Sequence, residues 1–139
     1  MPNLRYVLVT PAKNEARFIE KTISSILAQT HKPIMWVIVD DHSSDETSEI
    51  VTRYSIDFDF IRLIRRRSHT NIRSFASKVE AFNASRSLLM DISYDLIGNL
   101  DADITISSDY YANIISAFAE DSQLGIAGAQ FISPLVRGT

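Results

Sequence analysis

The chain has 139 residues, 45% hydrophobic and 22% charged, with a net charge of −3, which suits one globular domain with a real core. That mild negative balance argues against nucleic acid or an anionic membrane surface as partner. The lack of cysteine excludes a disulfide scaffold, a thiolate metal site and a cysteine nucleophile.

The opening MPNLRYVLVT carries no signal segment, and no apolar run reaches the roughly 18 residues of a membrane span. The expectation is a soluble, cytoplasmic chain with no membrane segment of its own. Five apolar runs read as strands: LRYVLV (4–9), IMWVIV (34–39), FIRLI (60–64), YDLIGNL (94–100) and GIAGAQFI (125–132). They are short and rich in Val and Ile, as in strands buried on both faces. Helical spacing fills the gaps. Phe18, Ile19, Ile23, Ile26 and Leu27 share one face. SSDETSEIVTRY opens with a capping box, Ser43 as N-cap and Glu46 three residues on. Phe75, Val79, Phe82 and Leu89 form a third stripe, and Tyr111, Ile114, Ile115 and Phe118 a fourth. This alternation predicts an α/β fold, a mainly parallel sheet with helices on both faces.

In such sheets ligands bind beyond the C-terminal strand ends. The segments there are TPAKNEA, DDHSSDE, RRRSHTNIRS and DADITIS. None has the glycines that let a backbone cradle phosphate, so neither a dinucleotide fold nor a P-loop enzyme is supported. Asp101 and Asp103, two positions apart, project to the same side of an extended segment. Two carboxylates held there at neutral pH need a cation or a proton. Mn²⁺ or Mg²⁺ would serve, since such ions take one or two protein carboxylates plus phosphate oxygens. The bland alternative is a cap on the following helix, which Ser107 is also equipped to start. Asp40 and Asp41 face opposite ways at a strand end, so one can meet a ligand while the other ties down backbone.

Four ordered motifs, PAKNE (11–15), VDDHSSDET (39–47), KVEAFNA (78–84) and LDADI (100–104), resemble the nucleotide-binding half of a family 2 glycosyltransferase of the GT-A, Rossmann-like fold. The family text is close to PxxNE, VDDGSxDxT, KxxAxNxG and DADD, and ISSILAQT (23–30) is similar to its first helix. The chain departs from it at His42, Ala84-Ser85 and Ile104. The resemblance implies that Pro11, Ala12 and Glu15 line a nucleoside pocket. It implies that Asp41, or with less support Asp40, contacts the base, usually uracil. Lys78 would sit near base or diphosphate, Asp101 near the ribose or a metal-bound water, Ala102 among the nucleotide-binding residues, and Asp103, with Asp101, at the metal. The implied reaction is inverting transfer from a nucleotide-sugar donor to an acceptor that is a glycan, lipid or protein.

Inversion needs a general base, and the resemblance places it well downstream of Asp103. Only residues 104–139 follow, so the base is expected downstream of Thr139. The expectation is a single domain truncated before the acceptor half, a fragment inactive alone, whose bared surface favours self-association. Glu120 and Asp121 lie at an expected helix end and are not promoted to base. Two other readings stand beside this one. DADIT also fits the DxDx[TV] of haloacid-dehalogenase-like phosphatases, and the chain can be a non-catalytic nucleotide-binding module. His31, His42 and His69 read as exposed loop residues, RLIRRR (62–67) as a solvated strand end, and Trp36 as core.

Overall fold

The computed structural model of the chain describes residues 3–67 and 75–128. Four of the apolar runs form strands: β1 (Tyr6–Ala12), β2 (Met35–Asp41), β3 (Ile61–Arg66) and β4 (Leu96–Asn99). Between and after them lie α1 (Ile19–Leu27), α2 (Thr47–Asp57), α3 (Phe75–Leu89) and α4 (Tyr110–Glu120). Every strand pairing is parallel, in the order β3-β2-β1-β4. The α/β fold read from the sequence is therefore the one observed.

Strand alternation sorts the core into two layers. Leu8, Trp36, Ile38 and Ile61 face α1, α2 and α4, where Ile19, Ile23, Ile26, Val51 and Ile115 meet them. Val7, Val9, Val37 and Val39 face α3 and pack on Ala81 and Leu89. Both faces of β1 and β2 are buried, as expected, whereas β3 and β4 lie at the edges and are half-exposed. β4 runs close to β1: a methyl added at Gly98 would come within 2.8 Å of a Leu8 methyl.

Several expectations are corrected. Residues 125–128 form no strand, and Ile126 is 89% exposed; 129–132 lie outside the described residues. Thr139, beyond which the general base is expected, lies outside the described residues as well. Phe18 precedes α1 and faces solvent with the Arg17 guanidinium over its ring, so the buried stripe of α1 begins at Ile19. Val79 is likewise exposed on α3. The capping box does not form, because the Ser43 hydroxyl is turned to the Asp40 carboxylate and α2 starts only at Thr47. Ser107 does not begin α4; its hydroxyl donates to Asp109 at 2.9 Å and the helix opens at Tyr110. His31 is half-buried rather than exposed, and its carbonyl accepts the Tyr6 hydroxyl. His42 is exposed, and His69 lies outside the described residues.

Trp36 is core, and its indole N–H donates to Thr10 Oγ1 at 2.8 Å with both residues fully buried. Thr10→Val keeps the shape but strips this donor of its acceptor. The expected cost is about 1–3 kcal/mol, read in urea as a lowered midpoint with an unchanged slope.

Candidate functional site

The chain leaves β1 toward β2 on one side, yet β4 lies on the other. Strand order thus reverses between β1 and β4, and the loops leaving their C-terminal ends flank a crevice, the usual ligand position in such sheets. Pro11 pairs with Val39 and Ala12 with Asp40, which puts the ends of β1 and β2 side by side. Leu100 N–H donates to the Val9 carbonyl at 3.1 Å, so Asp101 is the first residue to leave the sheet on the other side. Glu15, Asp41 and Asp103 therefore lie at or just beyond the ends of three adjacent strands.

The segment 101–103 is fixed at its middle. Ala102 is buried among Leu100, Tyr111 and α1 residues, and its carbonyl accepts the Thr22 hydroxyl at 2.9 Å. With Ala102 turned inward, its neighbours turn outward: Asp103 is exposed and the Asp101 side chain retains 39% of its surface. Asp101 Oδ1 lies 3.3 Å from the Lys78 ammonium, supplied by the first turn of α3. Among the described residues no group of three or more His, Cys, Asp or Glu is placed to hold a metal. The two carboxylates are accessible hard-oxygen donors, and that set fits Mn²⁺ or Mg²⁺ completed by phosphate and water oxygens, not an all-protein cage.

Asp40 and Asp41 take different environments. Asp40, on the α1–α2 face, is fully buried; its carboxylate accepts from the Ser43 hydroxyl and lies 3.4 Å from Arg65 Nε. It is spent on the loop and is not presented to a ligand, which corrects its assignment beside Asp41. Asp41 is half-buried and alternation puts it on the α3 face, the side shared with Pro11. The Ala12 and Ala102 side chains are buried in the core, so any donor contact they make goes through backbone. Glu15 is buried, its carbonyl accepting the N–H groups of Phe18 and Ile19 at 2.9 and 2.8 Å where α1 begins.

Three residues passed over in the sequence support this geometry. Gln29, almost fully buried, donates to the Ser25 and Ser107 carbonyls and accepts from Tyr111 N–H, tying the end of α1 to the start of α4. The polar residue in an otherwise apolar helix end was the available signal. Asn14 and Asp45 join the loops after β1 and β2. Burial alone would raise the Asp45 carboxyl, but hydrogen bonds from Thr47 and from Ala16 N–H outweigh it and hold the group below its usual value. Its stabilising contribution is therefore present above the ordinary carboxylate range and lost in acid as pH falls through the lowered value. Tyr6 and Tyr111 are pushed far up by burial, then by their mutual proximity and that of Tyr110 respectively, and are neutral structural groups.

Residues 7–137 match the family described as Glycosyl transferase family 2. The poly-beta-1,6-N-acetyl-D-glucosamine synthase of Staphylococcus aureus (strain COL) is 30% identical over 112 residues, 81% of this chain and 25% of that protein. The chain thus spans about a quarter of the length of the curated relatives it matches. S. aureus TarS in complex with UDP-GlcNAc superposes with a TM-score of 0.67 at 17% identity, over 94% of this chain and 37% of that one. The mannosyltransferase PcManGT from Pyrobaculum calidifontis, in complex with GDP-Man and Mn²⁺, gives 0.63 at 24% identity, over 85% and 34%. At these identities the two structures speak for the fold, which is GT-A. A match over almost the whole length decides the family: the chain belongs to glycosyl transferase family 2.

Proposed function

We propose that this chain binds the nucleotide end of a nucleotide-diphospho-sugar, a UDP-sugar in the first place, and presents it for inverting transfer to an acceptor. The observation that carries the reading is the pinned Asp101-Ala102-Asp103 turn, with both carboxylates outward and Lys78 at 3.3 Å, beside the reversal of strand order. Asp41, on the Lys78 side of the sheet, is the acceptor for a base N–H. Pro11 and the backbone at Ala12 and Glu15 form the adjoining wall. Lys78 neutralises Asp101 in the free protein and is within reach of a diphosphate when donor arrives. Asp101 and Asp103 would hold Mn²⁺ or Mg²⁺, which when bound stabilises charge on the departing diphosphate. The donors named for the two structural neighbours, UDP-GlcNAc and GDP-Man, support a nucleotide-sugar and leave uracil and guanine as the bases to compare.

No residue of this chain is assigned as general base. Glu120 closes α4 and Asp121 follows it, neither in a loop beside the crevice. The base is assigned instead to sequence beyond Thr139, a reading supported by the quarter of its relatives' length that the chain covers. The phosphatase reading loses its footing because DADIT follows β4, an edge strand, and the family is that of a glycosyltransferase.

Asp103→Ala is expected to abolish the metal-dependent part of UDP affinity, a loss of about ten- to hundredfold for one charge-assisted contact. Its melting temperature should stay level or rise, since a like-charge neighbour of Asp101 is gone. Calorimetric titration of UDP with Mn²⁺ and with chelator, beside a melt, checks both; a destabilised variant with intact metal dependence returns the pair to helix capping.

Lys78→Ala separates binding from folding. Both partners of the Lys78–Asp101 pair are well exposed, so its loss should cost at most about 1 kcal/mol of stability. UDP affinity should nevertheless fall by roughly tenfold. Running GDP beside UDP in the same titrations identifies the base.

A further inference from the structure

Two non-glycine residues among those described have left-handed backbones, Asn14 at φ 53° and His42 at φ 54°. Each lies in a loop leaving a central strand. Such conformations are sparsely populated and persist where the surroundings hold them. Around Asn14 the support is visible. Its Oδ1 accepts from Ser44 N–H at 2.8 Å, the Ser44 hydroxyl at 3.2 Å and Asp45 N–H at 3.3 Å. Its own N–H donates to Ser43 Oγ at 2.9 Å.

The second loop answers in kind. Asp45 Oδ2 accepts from Ala16 N–H at 3.1 Å, and its Oδ1 accepts the Thr47 N–H at 3.0 Å and the Thr47 hydroxyl. Thr47 Oγ1 in turn accepts Glu15 N–H at 2.9 Å in a buried position. The Ser43 hydroxyl itself donates to the buried Asp40 carboxylate. Three successive N–H groups of the first loop, at Asn14, Glu15 and Ala16, thus end on Ser43 and Asp45 of the second loop and on Thr47, which opens α2. Two segments about 30 residues apart in sequence are stitched into one unit.

We infer that Asn14 and Asp45 are positioning residues for the donor, locking the loop after β1 to the loop after β2 so that the backbone around Glu15 is held against the sheet-paired ends Pro11, Ala12 and Asp41 as one preorganised nucleoside wall. The inference rests on the donor reading above and assigns neither residue a contact with the ligand. Its physical content is that a wall already ordered in the free protein spares the donor the entropy of ordering it. The asparagine is suited to the place. Every contact at Oδ1 is an accepted one, so a carboxylate would satisfy the same donors, but at the cost of another charge beside Asp40, Asp41 and Asp45. None of the hydrogen bonds just described for the lock involves Asp101 or Asp103, so its loss should be felt at the nucleoside and not at the metal.

That split makes the test. Asn14→Gly leaves the left-handed backbone accessible and removes the amide alone; Asn14→Asp keeps the acceptor. Each is titrated with UDP, in Mn²⁺ and in chelator, at moderate salt that screens the added charge, beside a thermal melt. Asn14→Gly is expected to weaken UDP by roughly tenfold in both buffers, with the ratio between them unchanged. Asn14→Asp should recover most of that loss, which a general destabilisation would not explain. Asp103→Ala gives the converse pattern and serves as the control. Wild-type affinity in Asn14→Gly, or a loss confined to the Mn²⁺-dependent ratio, overturns the inference and leaves the donor reading standing. A wild-type chain that binds neither UDP nor GDP in either buffer overturns the donor reading and the inference with it. Should Asn14→Gly melt below the assay temperature, Asp45→Ala, which removes both accepting oxygens, and Asp45→Asn, which keeps one of the two, provide a graded comparison of the same kind.

Discussion

Parallel pairing of β1 on both edges is the constraint from which the site follows. Val7, Leu8 and Val9 have no solvent exposure, and successive side chains enter different layers of core. A slip of one residue would send Leu8 into the layer that Val7 and Val9 occupy, and the reverse, so the register is strongly specified. With register set, the ends of β2 and β4 are set relative to β1, and so are the loops that leave them. The reactive side chains sit on exposed loops, but their relative positions are dictated by the most buried part of the molecule. Pinned points carry that order outward: Ala102 held by Thr22, and the start of α4 held by Gln29.

The same scaffold explains how a chain of net charge −3 concentrates acids at one edge of its sheet without unfolding. Three of these carboxylates meet different compensations. Asp40 is answered by a serine hydroxyl and an arginine, Asp45 by hydrogen bonds from the chain and from Thr47, and Asp101 by Lys78. β3 contributes its arginines by alternation, Arg65 to Asp40 on one face and Arg66 to Glu80 of α3 on the other. RLIRRR is therefore more than a solvated strand end, though half of Arg65 does face water.

Much of this was legible in the sequence because buried parallel strands announce themselves. The runs around Val7 and Val37 are continuous and apolar since both of their faces are covered, whereas the edge strand at Ile61 is broken by the exposed Arg62. The acids after β2 and β4 stood out because charge rarely follows such runs without purpose. What could not be read was how polar side chains divide their hydrogen bonds. Ser43 and Glu46 have the spacing of a capping box, but a carboxylate three residues upstream and an N–H from another loop claim the serine. Phe18 has the period of a buried residue, but it precedes the first turn of α1 and points away. Asn14 and Asp45 are separated by enough sequence that only the folded sheet reveals their connection.

The place of β4 in the sheet also has a consequence for how the chain is made. β1, β2 and β3 emerge from the ribosome in sequence, and each can pair with the one before it. The remaining edge of β1 must wait for a partner some 90 residues later, at the distance of the bond between Arg5 N–H and the Asp95 carboxylate. Contacts of that separation form slowly because the intervening loop must be closed first. Throughout that interval a largely apolar central strand presents an unsatisfied edge, the kind of surface that chaperones bind and that nascent chains aggregate through. Among the described strands the β1–β4 junction is thus the last to form during synthesis, and a chain stalled short of β4 has a hydrophobic sheet but no site.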